Sequence, residues 1–132
     1  AGIDYPLARI NEIADRTPNI TKVSPSSNYH MEDVDRAGGI SAIMHELARR
    51  PGLLHTEVMT VTGKTLGENI AESESRDKAV IRPIDDPYSE TGGLAILFGN
   101  LAPHGSVVKK AGVLPGMMVH TGPARVFESH DE

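Results

Sequence analysis

Ile40-Ser41-Ala42-Ile43-Met44-His45-Glu46-Leu47-Ala48-Arg49-Arg50-Pro51-Gly52 decides how the first half of the chain is read. Ile40, Ile43, Met44 and Leu47 carry the i, i+3, i+4, i+7 spacing that puts apolar side chains on one helix face. Arg49 and Arg50 fall in the last turn, where positive charge suits the carbonyl end of the helix, and Pro51-Gly52 ends it. Immediately upstream, the acidic residues of Tyr29-His30-Met31-Glu32-Asp33-Val34-Asp35-Arg36-Ala37-Gly38-Gly39 favour a helix start, and the glycine pair interrupts it. Further upstream, Leu7, Ile10, Ile13 and Ala14 recur at helical spacing, with Asp4 as N-cap and Pro6 in the first turn. Thr17-Pro18-Asn19 stops that helix, and Ser24-Pro25-Ser26-Ser27-Asn28 is a loop by composition.

Downstream of Gly52 the pattern shortens. Val58 to Thr62 is expected to form a short strand, and Thr65 with Glu68 to cap a short helix running through Ile70. Residues 71–78 are polar without apolar period and read as a solvated linker. After Val80-Ile81 and the turn Asp85-Asp86-Pro87-Tyr88, Gly92-Gly93 precedes Leu94-Ala95-Ile96-Leu97-Phe98, a short apolar run of the kind buried on both faces of a sheet. Ser106-Val107-Val108-Lys109, Met117-Met118-Val119-His120 and Ala124-Arg125-Val126-Phe127 read as further strands. The expectation is an α+β chain, helical first and β-rich second, with the change falling between 71 and 92.

With 132 residues, 39% of them apolar but only 4% aromatic, the core must be built from aliphatic side chains. The net charge of −5 is interspersed, with no basic stripe for nucleic acid, and no apolar run approaches the ~20 residues that span a bilayer. The opening residues Ala1-Gly2-Ile3-Asp4-Tyr5-Pro6 lack a basic and apolar leader, so a cytoplasmic location is expected. There is no cysteine, hence no thiolate-held zinc, cysteine nucleophile or all-thiolate iron–sulfur site on this chain. The chain lacks an initiator Met and stops where Ser129 and Glu132 read as a capping box announcing a helix, so it is expected to be an internal stretch.

Several short motifs carry less than they promise. Gly63-Lys64-Thr65 resembles the end of a phosphate-binding loop, but Val58 stands where the motif needs its first glycine, and the stretch reads as a turn and helix start. His30-Met31-Glu32 has the H-x-E form of zinc deaminases, whose other ligands are cysteines absent here. A small metal site on His30 with Glu32, Asp33 or Asp35 competes with an acidic helix start. Histidines 30, 45, 55, 104, 120 and 130 are scattered, no G-x-S-x-G elbow exists, and Asn19-Ile20-Thr21 without a leader is a silent glycosylation signal. Asp85-Asp86 beside Pro87 reads as a turn rather than a catalytic carboxylate pair.

Three stretches resemble one known family. Tyr29 to Gly39 is the first. Gly92-Gly93-Leu94-Ala95-Ile96-Leu97-Phe98-Gly99-Asn100-Leu101-Ala102-Pro103, with Gly105, Val107, Val108 and Lys109, is the second. Gly122-Pro123-Ala124-Arg125-Val126-Phe127-Glu128-Ser129 is the third. Their order and content are similar to the dihydroxy-acid dehydratase and phosphogluconate dehydratase family. Phe98 to Pro103 with Gly122-Pro123-Ala124 most resembles the dihydroxy-acid dehydratases, ahead of sugar-acid (aldonate) dehydratases.

The resemblance implies a hydro-lyase that turns 2,3-dihydroxy-3-methyl acids into 2-oxo acids in branched-chain amino-acid (Val, Ile, Leu) biosynthesis. A base takes the C2 proton and a Lewis acid draws off the C3 hydroxyl. The family supplies an iron–sulfur cluster, Mg²⁺ held by carboxylates and a modified lysine, and a serine base. The cysteine segments lie upstream of this stretch, and the D-G-R-F-S-G-G and G-P-G-M-x-E motifs lie downstream. Pro115-Gly116-Met117 is an echo without the required Glu. The implied fold is the helical end of the cluster-bearing α/β domain (residues 1–75), then a linker and the opening strands of a β-rich swivelling (β/β/α) domain (76–132). No catalytic, cofactor-binding or metal residue is expected within the chain. Tyr29, His30, Glu32, Asp33 and Asp35 are candidates to border a pocket between the two domains, against the alternative that they only cap a helix. The implied partners are the remainder of the parent chain, the dihydroxy acid and, for the parent, a second copy; nucleic acid and membrane are not expected. From another class, a non-catalytic binding or regulatory module derived from such an enzyme is the rival reading.

Overall fold

The computed structural model describes residues 2–132. Four helices precede one hairpin: α1 (Ala8–Arg16), α2 (Met31–Arg36), α3 (Gly39–Ala48), α4 (Leu66–Ile70), β1 (Ala95–Gly99) and β2 (Ala102–Val108). The α+β expectation is met in this form, a helical part followed by a two-stranded antiparallel sheet.

α1 starts later than expected. Leu7, not Asp4, occupies the N-cap, and Thr17 in extended geometry ends the helix. Gly38, at φ 122°, separates α2 from α3. A Cβ there would lie 2.7 Å from Cβ of Ala42 and 3.1 Å from the carbonyl oxygen of Glu74, so only glycine lets α3 and the 71–78 linker approach. The Thr65 capping box forms as read: Glu68 N–H donates to the Thr65 hydroxyl (3.2 Å), and Thr65 N–H donates to the Glu68 carboxylate (2.7 Å).

The buried face of α3 is rotated from the one its apolar spacing marks. Ala42 and Glu46 are its deepest residues, Ile43 and Leu47 pack partly buried beside the core, and Ile40 is exposed. The core itself joins Ile20, Val34, Ala37, Ala42, Val80 and Ile81. Residues 79–89 therefore pack on the helices. Arg82 N–H donates to the Ile20 carbonyl and Tyr88 N–H to the Asn19 carbonyl, both at 2.8 Å, and single bridges pair Thr21 with Ile81 and Asn19 with Ser89.

The strand expectations depart from the structure in three places. Val58–Thr62 makes no strand; Met59 bridges Thr65 alone across a turn in which Gly63 takes φ 75°. The Leu94–Phe98 run does form β1, but only Ile96 is buried, while Leu94, Leu97 and Phe98 are about half exposed. Met117–His120 and Ala124–Phe127 are not strands: Pro115–Met117 is a 3₁₀ turn and the chain beyond it is irregular and exposed. A strand forms only against a partner strand, and neither segment pairs with an edge of the β1–β2 hairpin. No helix follows Ser129 either; the Glu132 carboxylate accepts from Glu128 N–H instead.

α1 carries the hairpin. The Asn11 amide donates to the Ile96 carbonyl (2.9 Å) and its oxygen accepts from Ile96 N–H (2.7 Å), which ties the helix to β1 by both polar groups of one residue. Gly92 N–H donates to the Ala14 carbonyl at 2.7 Å, and a Cβ on Gly92 would meet Ala14 Cα at 3.2 Å. The glycine pair is thus needed where the chain crosses α1 to enter the hairpin.

Candidate functional site

The residues singled out at the start of α2 form a cap. His30 is the extended N-cap residue, and its N–H donates to Asp33 Oδ2 at 2.7 Å. Asp33 Oδ1 accepts from Arg36 one turn later. The backbone hydrogen bond from His30, then Arg36, holds the Asp33 carboxyl below its ordinary value. Tyr29 packs against the core, its carbonyl accepting from Ser24 N–H, whereas Glu32 and Asp35 point into solvent. His30 and Asp33 are brought together; Tyr29, Glu32 and Asp35 do not join them. None of the five lines the apolar cleft between α3, the 18–23 segment and the entry to β1.

A second polar cluster escaped the sequence reading. Glu46 is the one buried charged residue among the described residues, 9% exposed. Its Oε1 accepts from Ile84 N–H at 2.8 Å and from Arg49, whose other nitrogen reaches Asp85 at 2.9 Å. Arg50 adds Glu90 and the Ile84 carbonyl at about 3.4 Å. The hydrogen bond Arg49 donates to Glu46, then the charges of Glu46 and Asp85, raise the Arg49 guanidinium above its ordinary range. The end of α3 is thereby fastened to residues 84–90. The signal was present in the sequence: Glu46 lies four residues after Ala42 and so shares its face. The Ile40–Leu47 spacing, read as the buried stripe, concealed it.

A cleft of about 400 Å³ opens between α3, the 18–23 segment and the entry to β1. Its wall is aliphatic (Ile20, Val23, Ile43, Leu47 and Leu94), with Lys22 and Lys109 also among its lining residues. Ser26 Oγ, also in the lining, is buried without a hydrogen-bond partner. In a polar cavity of about 350 Å³ beside His45, Glu46, Arg49 and Lys78, His45 Nδ1 is engaged with the Ile70 carbonyl at 2.8 Å, and Glu46 and Arg49 as above. Among the described residues no group of three or more His, Asp or Glu is gathered as a metal requires, and there is no cysteine for an iron–sulfur cluster. Among the described residues, then, the donors for a complete iron–sulfur or carboxylate-held Mg²⁺ site are not gathered.

What fold and site together define is a stretch of short helices and one hairpin, fastened by Asn11 to Ile96 and by Glu46 to residues 84–90. The chain belongs to the dihydroxy-acid/6-phosphogluconate dehydratase family. Residues 1–69 match that family's N-terminal model, and residues 79–132 match its C-terminal one. Over all 132 residues the chain is 61% identical to a dihydroxy-acid dehydratase of Akkermansia muciniphila. It is 57% identical to one of Caldanaerobacter subterraneus subsp. tengcongensis and 55% to one of Carboxydothermus hydrogenoformans. In each case it spans 24% of the relative's length. No helix among the described residues is long and apolar enough to cross a membrane.

Proposed function

We propose that these 132 residues are a segment of a dihydroxy-acid dehydratase, a cytoplasmic hydro-lyase that converts 2,3-dihydroxy-3-methyl acids to 2-oxo acids in branched-chain amino-acid biosynthesis. The observation that carries this reading is identity of 55–61% to dihydroxy-acid dehydratases along the whole chain, through both matched family regions. In the reaction the C2 proton and the C3 hydroxide leave as water, and the resulting enol tautomerises to the 2-oxo acid. On this reading the iron–sulfur ligands come from other parts of the parent protein, since this chain has no cysteine. The segment's part is to hold shape: residues 1–75 end the helical domain and 76–132 open the swivelling β-rich one. The pocket between them is bordered by Tyr29, His30, Glu32, Asp33 and Asp35, of which His30, Glu32 and Asp35 present exposed side chains. A homodimer of the parent goes with this reading.

The exposed area supports a part rather than a whole. A folded chain of 14.2 kDa is expected to expose roughly 6,800 Å², whereas this one exposes 9815 Å². The test is turnover of 2,3-dihydroxyisovalerate, read as 2-oxo acid formed, by the natural-length polypeptide and by the isolated 132 residues. The natural-length protein is expected to be active and the isolated segment inactive. Turnover by the purified segment, or none by the natural-length protein with its metals bound, refutes the assignment.

A further inference from the structure

Residues 70–78 fall between the two matched family regions. A joint between independently moving bodies is a stretch that few contacts cross and that is itself free to turn. The 70–78 stretch has neither property. The largest fully buried side chains, Val34 and Ile81, come one from each region and share a single core with Ala42 and Val80. The Arg82, Tyr88 and Gly92 N–H groups donate back to the Ile20, Asn19 and Ala14 carbonyls at 2.8, 2.8 and 2.7 Å. Side chains cross as well: the Thr21 hydroxyl donates to the Val80 carbonyl at 2.9 Å, Glu46 accepts from Ile84 N–H, and Asn11 engages both backbone groups of Ile96. Lys22 and Arg82, one from each region, both lie over the Tyr88 ring, at 4.9 and 4.3 Å from its centroid. The connecting stretch is pinned too. Arg76 N–H donates to the Ala37 carbonyl at 2.9 Å, and the Ser75 hydroxyl to the Ile81 carbonyl at 3.1 Å.

The fastening continues past the hairpin. β2 is held by β1, which α1 holds, and Ala111 N–H donates to the Gly93 carbonyl at 3.2 Å while Lys110 Nζ donates to the Thr91 hydroxyl at 3.3 Å. Beyond Val113 the pattern changes. Among the described residues, the hydrogen bonds made from Leu114 onward stay within that stretch: Met117 N–H to the Leu114 carbonyl, Met118 N–H to the Pro115 carbonyl and Glu128 N–H to the Glu132 carboxylate. We infer that residues 79–113 move as one body with the helices, and that the joint between the two family regions lies at or beyond Leu114 rather than in the 70–78 stretch. The mechanical boundary is thereby set downstream of the 75/76 sequence boundary, whatever reaction the whole protein performs. A movement of the second region against the first would leave α2, α3 and residues 79–96 in register with one another, because parting them exposes Ile81 and strands the Ile84 N–H.

Native-state hydrogen exchange of the natural-length polypeptide in rising denaturant, resolved on overlapping peptides, tests this. The amides of Arg82, Tyr88 and Gly92 are expected to merge with that of Ala42 into one opening isotherm before the helices unfold. Isotherms that stay apart, with 82, 88 and 92 opening first, overturn the single body. Ile81→Ala opens a cavity in the shared core and is expected to quicken exchange at Ala42 and at Arg82 by the same factor, at least about tenfold. Quickening at Arg82 alone, or at neither, overturns the single body as well. Val126→Ala, beyond the joint, is expected to change neither amide by more than about twofold. A coupled rise at Ala42 and Arg82 in that variant would place residues 114–132 in the same body and refute the joint. Should Ile81→Ala fail to fold, Ile81→Val makes the same comparison at a smaller common factor.

Discussion

Replacing Glu46 by alanine removes the acceptor on which a buried backbone N–H depends. Ile84 N–H donates to Glu46 Oε1 at 2.8 Å in a buried setting, with no other partner in reach. Leaving a buried donor unmet costs about 1–3 kcal/mol, and the bond lost is to a charged group, which places the cost in the upper part of that range. Arg49 loses one partner but keeps Asp85 and is about half exposed, so the broken ion pair adds less than about 1 kcal/mol. Glu46→Ala is therefore expected to cost about 2–3 kcal/mol. Glu46→Gln, which keeps an acceptor for Ile84 and loses only the charge, is expected to cost about 1 kcal/mol. The assay is native-state hydrogen exchange of Arg82 N–H, which donates to the Ile20 carbonyl and reports opening of the segment without itself touching Glu46. Exchange there should quicken roughly 30- to 150-fold in the alanine variant and about fivefold in the glutamine variant. If both variants open the segment equally, charge rather than the acceptor holds it; if neither changes exchange beyond about threefold, Glu46 does not fasten α3 to residues 84–90.

Asn11→Ala removes both hydrogen bonds to Ile96 and is expected to cost about 1–2 kcal/mol, read as faster exchange of the Ile96 amide with α1 still helical by circular dichroism. Gly38→Ala forces a Cβ to 2.7 Å from Ala42 Cβ at φ 122°, and is expected to lower the melting midpoint by more than any surface Gly→Ala; a change within error would show that α3 can shift freely from the 71–78 linker. Asp33 and Glu68 both titrate below their ordinary values, Asp33 chiefly through His30 N–H and Glu68 chiefly through Thr65 N–H. A depressed carboxyl stabilises the fold above its unfolded value and loses that contribution as pH falls through the folded one. Helix content at α2 and α4 should hold down to about pH 4.5 and fall below it, with NMR titration of the two carboxylates as the check. Asp33→Asn and Glu68→Gln should flatten that acid limb.

The elements most legible in the sequence are those whose signal is local. The Thr65/Glu68 capping box, the stop at Thr17 and the glycine break before α3 each follow from two or three adjacent residues, and each stands where it was read. Misreadings occur where the decisive partner is distant. Met117–His120 and Ala124–Phe127 alternate well enough to pair, but alternation says nothing of which edge a segment meets, and among the described residues neither joins the β1–β2 hairpin. Ile40 was assigned to the core by its spacing, yet α3 turns a different face inward because Gly38 permits Ala42 to close on the linker and Glu46 to reach Ile84. The candidate site shows the same division. His30 and Asp33 were visible as an acidic helix start and do cap it, while the Asn11 and Glu46 fasteners depend on residues 85 and 38 positions away. The half-exposed Leu97 and Phe98 extend that reasoning by one step: an apolar run written for a doubly covered strand keeps its composition when its covers are elsewhere in the polypeptide. Of that run only Ile96 finds a cover among the described residues, so its composition reports apolar character without reporting which neighbours bury it.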